Sequence, residues 1–148
     1  MTFLLDTNIL IHYIRESTVF QEVQDTYAPL KKGNRPVVCV VNVAEIRSIA
    51  VQANWGIPKK RKLEEILREL IIIEIRNNIL IDRHVQIDAY SQNKLPGQPL
   101  GRTPRNMGKN DLWIAATASV LGAKLLTTDG DFDHLNGVFL DLEKIRNS

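Results

Sequence analysis

The sequence predicts an α/β fold, a three-layer α/β/α sandwich built on a mostly parallel sheet of four to five strands. Three observations predict it. Short apolar runs at 36–41 and 71–75 are rich in β-branched residues and carry no polar alternation, the pattern of strands buried on both faces. Segments between such runs place apolar residues at helical spacing, so strands and helices alternate along the chain. The 148 residues, 44% hydrophobic and 24% charged, have the length and composition of one soluble domain, 1–148.

Taken in order, Phe3, Leu4 and Leu5 are the apolar centre of a first strand, 2–6. Asp6-Thr7-Asn8 ends it with residues that cap helices, and Ile9, Leu10, Tyr13 and Ile14 then recur at helical spacing over 8–15. Ser17 is a candidate cap for a second helix over 18–31, closed by Lys31-Lys32-Gly33. The second strand, 36–41, holds the single cysteine, Cys39, in the setting of a small core hydrophobe. Asn42 is the expected cap of a third helix, 43–53, which Gly56-Ile57-Pro58 breaks. A fourth helix runs from Pro58 or Lys59 to about Leu70, and Ile71-Ile72-Ile73-Glu74-Ile75 is the third strand. A fifth helix spans 78–92. The segment 94–109, with Pro96, Gly97, Pro99, Gly101, Pro104 and Gly108, is a loop, long enough to have a function of its own. Asn110 is the expected cap of a sixth helix, 111–121, closed by Gly122. Lys124 to Thr127 form the fourth strand, Asp129-Gly130 a turn, and Val138 to Leu140 an edge strand.

Four carboxylates stand out by position. Asp6 ends the first strand and Glu45 lies in the first turn after the second. Asp111 opens the helix that leads into the fourth strand, and Asp129 follows that strand by two residues. In a parallel sheet all four fall at the carboxyl edge, where ligands of open α/β sheets sit. Singly, each has a structural use: Asp6 as a cap, Glu45 with Asn42 as a capping box, Asp111 against the helix dipole, Asp129 in a turn. Together they repel, by roughly 4 kcal/mol per pair at about 4 Å and an effective dielectric near 20. A cation is needed to offset that cost. Carboxylates without cysteine or a histidine set suit Mg²⁺ or Mn²⁺, with Asp6, Asp111 and Asp129 as ligands. Glu45 is then placed to ligate or to orient an attacking water, and Thr127 and Asn8 to hold waters or phosphate oxygens. Asp131 and Asp133 could supply an extra ligand, but the turn chemistry around Gly130 favours an exposed turn. Such a site can hydrolyse a phosphodiester.

Four stretches carry a family resemblance: Phe3-Leu4-Leu5-Asp6-Thr7-Asn8; Asn42-Val43-Ala44-Glu45; the run 110–118 that begins Asn110-Asp111; and Thr127-Thr128-Asp129-Gly130-Asp131-Phe132. In this order and over nearly the whole chain, they resemble PIN-domain ribonucleases, especially the VapC-like toxins of toxin–antitoxin pairs. The resemblance implies a Mg²⁺- or Mn²⁺-dependent endoribonuclease, a homodimer, and a small cognate antitoxin whose tail covers the acidic site. It carries the family's acidic quartet to Asp6, Glu45, Asp111 and Asp129, its hydroxyl to Thr127 and its first-motif asparagine to Asn8.

RNA affinity at an acidic site must come from nearby cations. Arg102, Arg105 and Lys109, in the loop leading to Asp111, are the candidates. Lys59-Lys60-Arg61-Lys62 reads as a solvated face. The apolar faces of the first four helices, with Tyr13, Val19, Phe20, Val23 and Ile46, offer core and a dimer or antitoxin groove. Trp113 reads as core, and Trp55 as a residue able to stack on a base. His12, His84 and His134 have no zinc-ligand spacing. No apolar run nears the roughly 20 residues of a membrane span, and no signal-peptide pattern opens the chain, so a reducing cytoplasm is expected. A different class, an acidic metal-binding signalling or interaction module without nuclease activity, needs in its receiver form an acceptor aspartate at the end of the third strand. That strand ends in Ile75-Arg76-Asn77.

Overall fold

The computed structural model describes residues 1–146; the last two positions of the expected domain, 147 and 148, lie outside the described residues. Five strands, β1 (Thr2–Leu5), β2 (Arg35–Cys39), β3 (Ile71–Ile73), β4 (Lys124–Thr127) and β5 (Asp141–Lys144), form one sheet in the order β3-β2-β1-β4-β5. Every pairing in it is parallel. Six α-helices connect them: α1 (Thr7–Arg15), α2 (Thr18–Thr26), α3 (Val40–Gln52), α4 (Ile57–Arg68), α5 (Asn78–Ser91) and α6 (Lys109–Leu121).

Strand alternation sorts the core into two layers. Leu4, Val37, Cys39 and Leu125 face α5 and α6, where Ile87, Tyr90, Ile114 and Phe132 complete one cluster. Phe3, Leu5, Val38 and Leu126 face the other way, onto Ile9, Leu10, Val23, Ile46 and Leu63 of α1 to α4. Two-sided burial is the reason the strands read as unbroken apolar runs. Tyr13, Val19, Val23 and Ile46 are buried in this second cluster and Phe20 is half-buried against it, so these five are core, not an open groove. Exposed apolar side chains lie elsewhere, at Val51 and Ile57 and along α5 at Ile79 and Val85.

Several boundaries differ from the sequence expectation. α2 stops at Thr26, because Tyr27 takes the cap and residues to Gly33 turn back toward β2. α3 begins earlier, with Cys39 as its cap. Asn42 sits inside the first turn, where its Oδ1 accepts the Cys39 N–H at 3.1 Å. α6 likewise begins earlier, capped by Gly108, so Asn110 and Asp111 both lie in its first turn. The turn expected at Asp129-Gly130 continues as a 3₁₀ helix, Gly130–Leu135. The edge strand is 141–144, not 138–140; of the latter run, Leu140 makes an isolated bridge to Asn136. Leu142 and Ile145 are the buried positions there, and Asp141, Glu143 and Lys144 are tolerated because an edge strand keeps one side in water. Lys124 also pairs with Glu143 at 3.3 Å. No helix among the described residues is long and apolar enough to cross a membrane.

The topology fixes where a site can form. From β1 the chain winds outward through β2 and β3 on one side, and β4 and β5 lie on the other. The crevice between β1 and β4 is therefore the switch point, and its carboxyl end is the mouth at which doubly wound sheets bind ligands.

Candidate active site

Asp6 directly follows β1 and Thr127 is the last residue of β4, so both stand at that mouth. Register makes the meeting unavoidable: Leu5 pairs with Leu126, and the Asp6 N–H donates to the Leu126 carbonyl at 3.0 Å. Asp6 is buried and takes four donors. Its Oδ1 accepts from Thr7 N at 2.8 Å and from Asn42 Nδ2 at 3.3 Å. Its Oδ2 accepts from Thr127 Oγ1 at 2.7 Å and from Asn8 Nδ2 at 3.3 Å. Thr127 Oγ1 in turn accepts from Asp129 N at 3.0 Å, and Asn8 Oδ1 accepts from Thr128 N at 3.0 Å. The first carboxylate thus holds the loop that carries the fourth.

Glu45 reaches the same mouth from α3. Thr7 Oγ1 donates to its Oε1 at 2.9 Å and itself accepts from Asn42 Nδ2 at 3.1 Å. Asp111 arrives from the first turn of α6, and an open groove between α3 and α6 is lined by Glu45, Gly108, Lys109, Asn110 and Asp111. Asp111, Asp129 and Asp131 each place an oxygen within 4.8 Å of the others.

These charges feel one another. Burial, then the neighbouring charges of Asp6, Asp129, Asp131 and Glu45, push the Asp111 pKa up to about 7. Burial, opposed by the Thr127 and Thr7 hydrogen bonds and reinforced by Glu45 and Asp129, also raises that of Asp6. Among the described residues no lysine, arginine or histidine pairs with Asp6, Glu45, Asp111 or Asp129. Arg105 pairs with Asp131 at 3.8 Å, and both partners are substantially exposed. A hard-oxygen donor set with an uncompensated charge fits a divalent cation of the Mg²⁺ or Mn²⁺ type.

The comparison with known proteins agrees with this geometry. Residues 3–138 match the PIN domain family. The chain belongs to that family. Among curated proteins, the PIN domain here is 26% identical over 127 residues to ribonuclease VapC1 of Haemophilus influenzae strain R2866, covering 86% of each chain. Among solved structures it superposes on a VapBC2 chain from Rickettsia felis, crystallised with a promoter DNA fragment, at a TM-score of 0.77 and 22% identity. That match covers 97% of this chain and 98% of the other. A VapBC-1 chain from nontypeable Haemophilus influenzae gives 0.72 and 23%, again covering 97% and 98%.

Not every expected site residue of this PIN domain lies in the centre. Asp6, Glu45, Asp111, Asp129, Asn8 and Thr127 share the mouth. Lys109 borders the groove, Arg105 stands over Asp131, and Arg102 is exposed on the loop near His134. Asp131 is exposed, as expected, yet the 3₁₀ winding after Asp129 also brings a carboxylate oxygen of it near those of Asp111 and Asp129. Asp133 points away, to Lys144 at 2.7 Å. Thr7 and Asn42 were not singled out as site residues, yet together they orient Glu45 and Asp6. Their signal was present, since each lies inside a motif that carries an acid. In the basic run, Lys59 covers the Trp55 ring at 4.2 Å and Lys62 pairs with Glu16 at 2.9 Å, so Trp55 is not a free stacking platform. Trp113 is half-buried beside His84, with ring centroids 4.1 Å apart.

Thr127 is the hub of these hydrogen bonds, so its hydroxyl has a measurable worth. Thr127→Val keeps the shape but leaves Asp6 Oδ2 and the Asp129 N–H short of a partner. A loss of about 1–3 kcal/mol is expected, a fall in Tm of roughly 3–10 °C, with Thr127→Ser retaining most of it. Circular dichroism melts of the two variants check this; equal Tm values would refute it.

Proposed function

We propose that this chain is a Mg²⁺- or Mn²⁺-dependent endoribonuclease, the toxin of a toxin–antitoxin pair, held in check by a small antitoxin and acting as a homodimer. The observation that carries the reading is the meeting of four carboxylates from remote segments at the switch point without a compensating cation. Family membership and the ribonuclease name of the curated relative support it, and the presence of VapBC assemblies among the fold neighbours supports the antitoxin.

In this reading Asp6, Asp111 and Asp129 hold the cation, with Asp131 close enough to join them. When bound, the cation supplies acidity to the attacking water and offsets charge developing on the phosphodiester. The chain's own residues do the rest. Thr7 occupies one oxygen of Glu45, which leaves Oε2 to orient the water and accept its proton. Thr127 and Asn8 hold Asp6 in place from the β4 side. Arg102, Arg105 and Lys109 contact RNA phosphates beside the acidic centre, where point charges supply affinity without sequence preference.

The decisive test is cleavage of a mixed RNA pool by protein purified free of any inhibitor. Activity lost in EDTA and restored by Mg²⁺ or Mn²⁺ is expected. Cleavage that persists in EDTA would overturn the metal role. Cation uptake without any RNA cleavage would favour an acidic binding module in its place. Replacing Arg102 and Arg105 by glutamine should weaken RNA binding by roughly tenfold at low salt and flatten its salt dependence.

A further inference from the structure

Behind the acidic mouth lies a buried polar cluster for which the cleavage chemistry has no use. Ser91 closes α5 and His134 lies in the 3₁₀ helix, and both are sealed from solvent. Ser91 Oγ is 2.7 Å from His134 Nε2 and 3.4 Å from Met107 Sδ. His134 Nδ1 is buried without a hydrogen-bond partner. Burial, then the nearby charges of Arg105 and Arg102, pushes the ring's pKa down to about 4, so it is neutral at neutral pH. Of the two tautomers, Nε2–H is the cheaper one here. Nε2–H donates to Ser91 Oγ, the Ser91 proton points at Met107 Sδ, and Nδ1 is left as a bare acceptor instead of an unpaired buried donor. An apolar side chain would fill this space without any orphaned atom, so the polar pair asks for an explanation.

Its connections supply one. The Ser91 carbonyl accepts the Arg105 N–H at 2.7 Å. The next two residues also grip the 94–109 loop: Gln92 Nε2 reaches Asn106 Oδ1 at 3.3 Å, and Asn93 Oδ1 accepts from Leu100 N at 3.0 Å. That loop runs directly into α6 and ends two residues before Asp111. His134 belongs to the 3₁₀ segment whose start carries Asp129 and Asp131. The Ser91–His134 bond is thus a dry cross-link between the segment that delivers one acid and the segment that delivers the other two. The Arg105–Asp131 pair links the same two segments at the wet surface, where such a pair contributes little.

We propose that Ser91 and His134 are a positioning pair that sets the spacing of Asp111 against Asp129 and Asp131 and thereby the affinity for a divalent cation. This rests on the metal-site reading above. Groups that orient metal ligands from behind are worth about 10–100-fold in affinity, and this pair acts one step further back, so about tenfold is expected.

Calorimetric titration with Mn²⁺ tests it without RNA, alongside the Tm of each variant. His134→Phe removes the orphaned nitrogen and keeps the bulk, so its Tm should hold while its Mn²⁺ Kd rises about tenfold. His134→Gln, whose amide N–H can replace Nε2–H, should restore most of the affinity. Ser91→Ala should give a similar shift, and the double variant should be no worse than either single one, as expected of two halves of one bond. His134→Phe that melts like the wild type and binds Mn²⁺ as tightly would overturn the proposal, as would single shifts that add. If His134→Phe fails to fold, Ser91→Ala decides alone by the same criterion. A wild-type protein that takes up no Mn²⁺ would remove the metal-site reading itself, and this inference with it.

Discussion

Asp111→Asn is expected to abolish cleavage and at the same time to make the metal-free protein more stable. Asp111 provides a ligand oxygen beside Asp129 and Asp131, and an amide cannot replace its charge. A loss of about 10³-fold in kcat/KM, roughly 4 kcal/mol of transition-state stabilisation, is the right scale for removing a metal-anchoring carboxylate. The stability change has the opposite sign. Asp111 titrates near 7 in the folded chain, against 3.8 for the free side chain, because burial and four acidic neighbours disfavour its charge. Its contribution to stability is therefore fully present below the unfolded value and is lost as pH rises through 7. Asparagine mimics the protonated form at every pH. In EDTA, the variant should melt roughly 3 °C above the wild type at pH 8, the shift of about 1 kcal/mol after discounting for the side chain's partial exposure. That gain should shrink as pH falls below 7 and vanish only below the unfolded value of 3.8. Reading the difference between the two proteins matters, because His134, His12 and His84 have lowered values and pull the other way below about pH 6.5 in both. Saturating Mn²⁺ should reverse the order, since the cation binds only the wild type tightly and raises its Tm by mass action. A pH-independent gap between the two would sink the repulsion argument.

The architecture was largely legible in the sequence, for a definite reason. Strands buried on both faces read as unbroken apolar runs: 2–6, 71–75 and 124–127 each contain an observed strand, and 36–41 overlaps β2, which starts one residue earlier and ends at Cys39. β5 was misplaced because it lies at an edge. Asp141-Leu142-Glu143-Lys144 buries only half of itself, so its hydropathy is lower than that of the neighbouring Val138-Phe139-Leu140, which is a bend beside the 3₁₀ helix. The helix starts at Val40 and Lys109 were read two to three residues late for a related reason. Asn42 and Asn110 look like caps, but backbone geometry put the caps at Cys39 and Gly108. Polar residues two or three positions into a helix can serve the site instead of the helix, and Asn42 does so by bridging Asp6 and Thr7.

The meeting of the acids was legible through topology. A parallel sheet delivers every strand's carboxyl end to one rim, so Asp6, Glu45 and Asp129 had to come near one another. Asp111 followed from a helix that runs antiparallel to β4. What topology could not supply was rotation about the chain within a turn. Asp131 follows Asp129 by two residues, and only the 3₁₀ winding decides that its exposed carboxylate lies beside Asp111 and Asp129 while Asp133 reaches Lys144. Ser91 and His134 left no mark in the sequence at all, because nothing in the local pattern says that the end of α5 and the 3₁₀ helix will touch.

Asp6→Asn should behave unlike Asp111→Asn, although both substitutions remove one acid from one cluster. The same loss of cleavage, about 10³-fold, is expected if Asp6 holds the cation. Stability, however, should fall. Asp6 is enclosed by donors: Thr7 N and Asn42 Nδ2 on one oxygen, Thr127 Oγ1 and Asn8 Nδ2 on the other. An amide can satisfy only one side. Its NH₂ would face the Asn8 NH₂, and the Thr127 hydroxyl would lose the acceptor for its proton while still receiving Asp129 N. Flipping the amide moves the conflict to the Thr7 N–H. Losing two buried hydrogen bonds and opposing two donors costs roughly 2–3 kcal/mol, a fall in Tm of about 6–12 °C, which outweighs the relief of burying a charge and of its repulsion from Glu45 and Asp129. The loop at 127–129 should loosen with it, which hydrogen exchange at the Thr128 and Asp129 amides would report as lost protection. If Asp6→Asn instead melts above the wild type, as Asp111→Asn is expected to, then charge alone governs the mouth and the hydrogen-bonded role given to Asp6 is wrong.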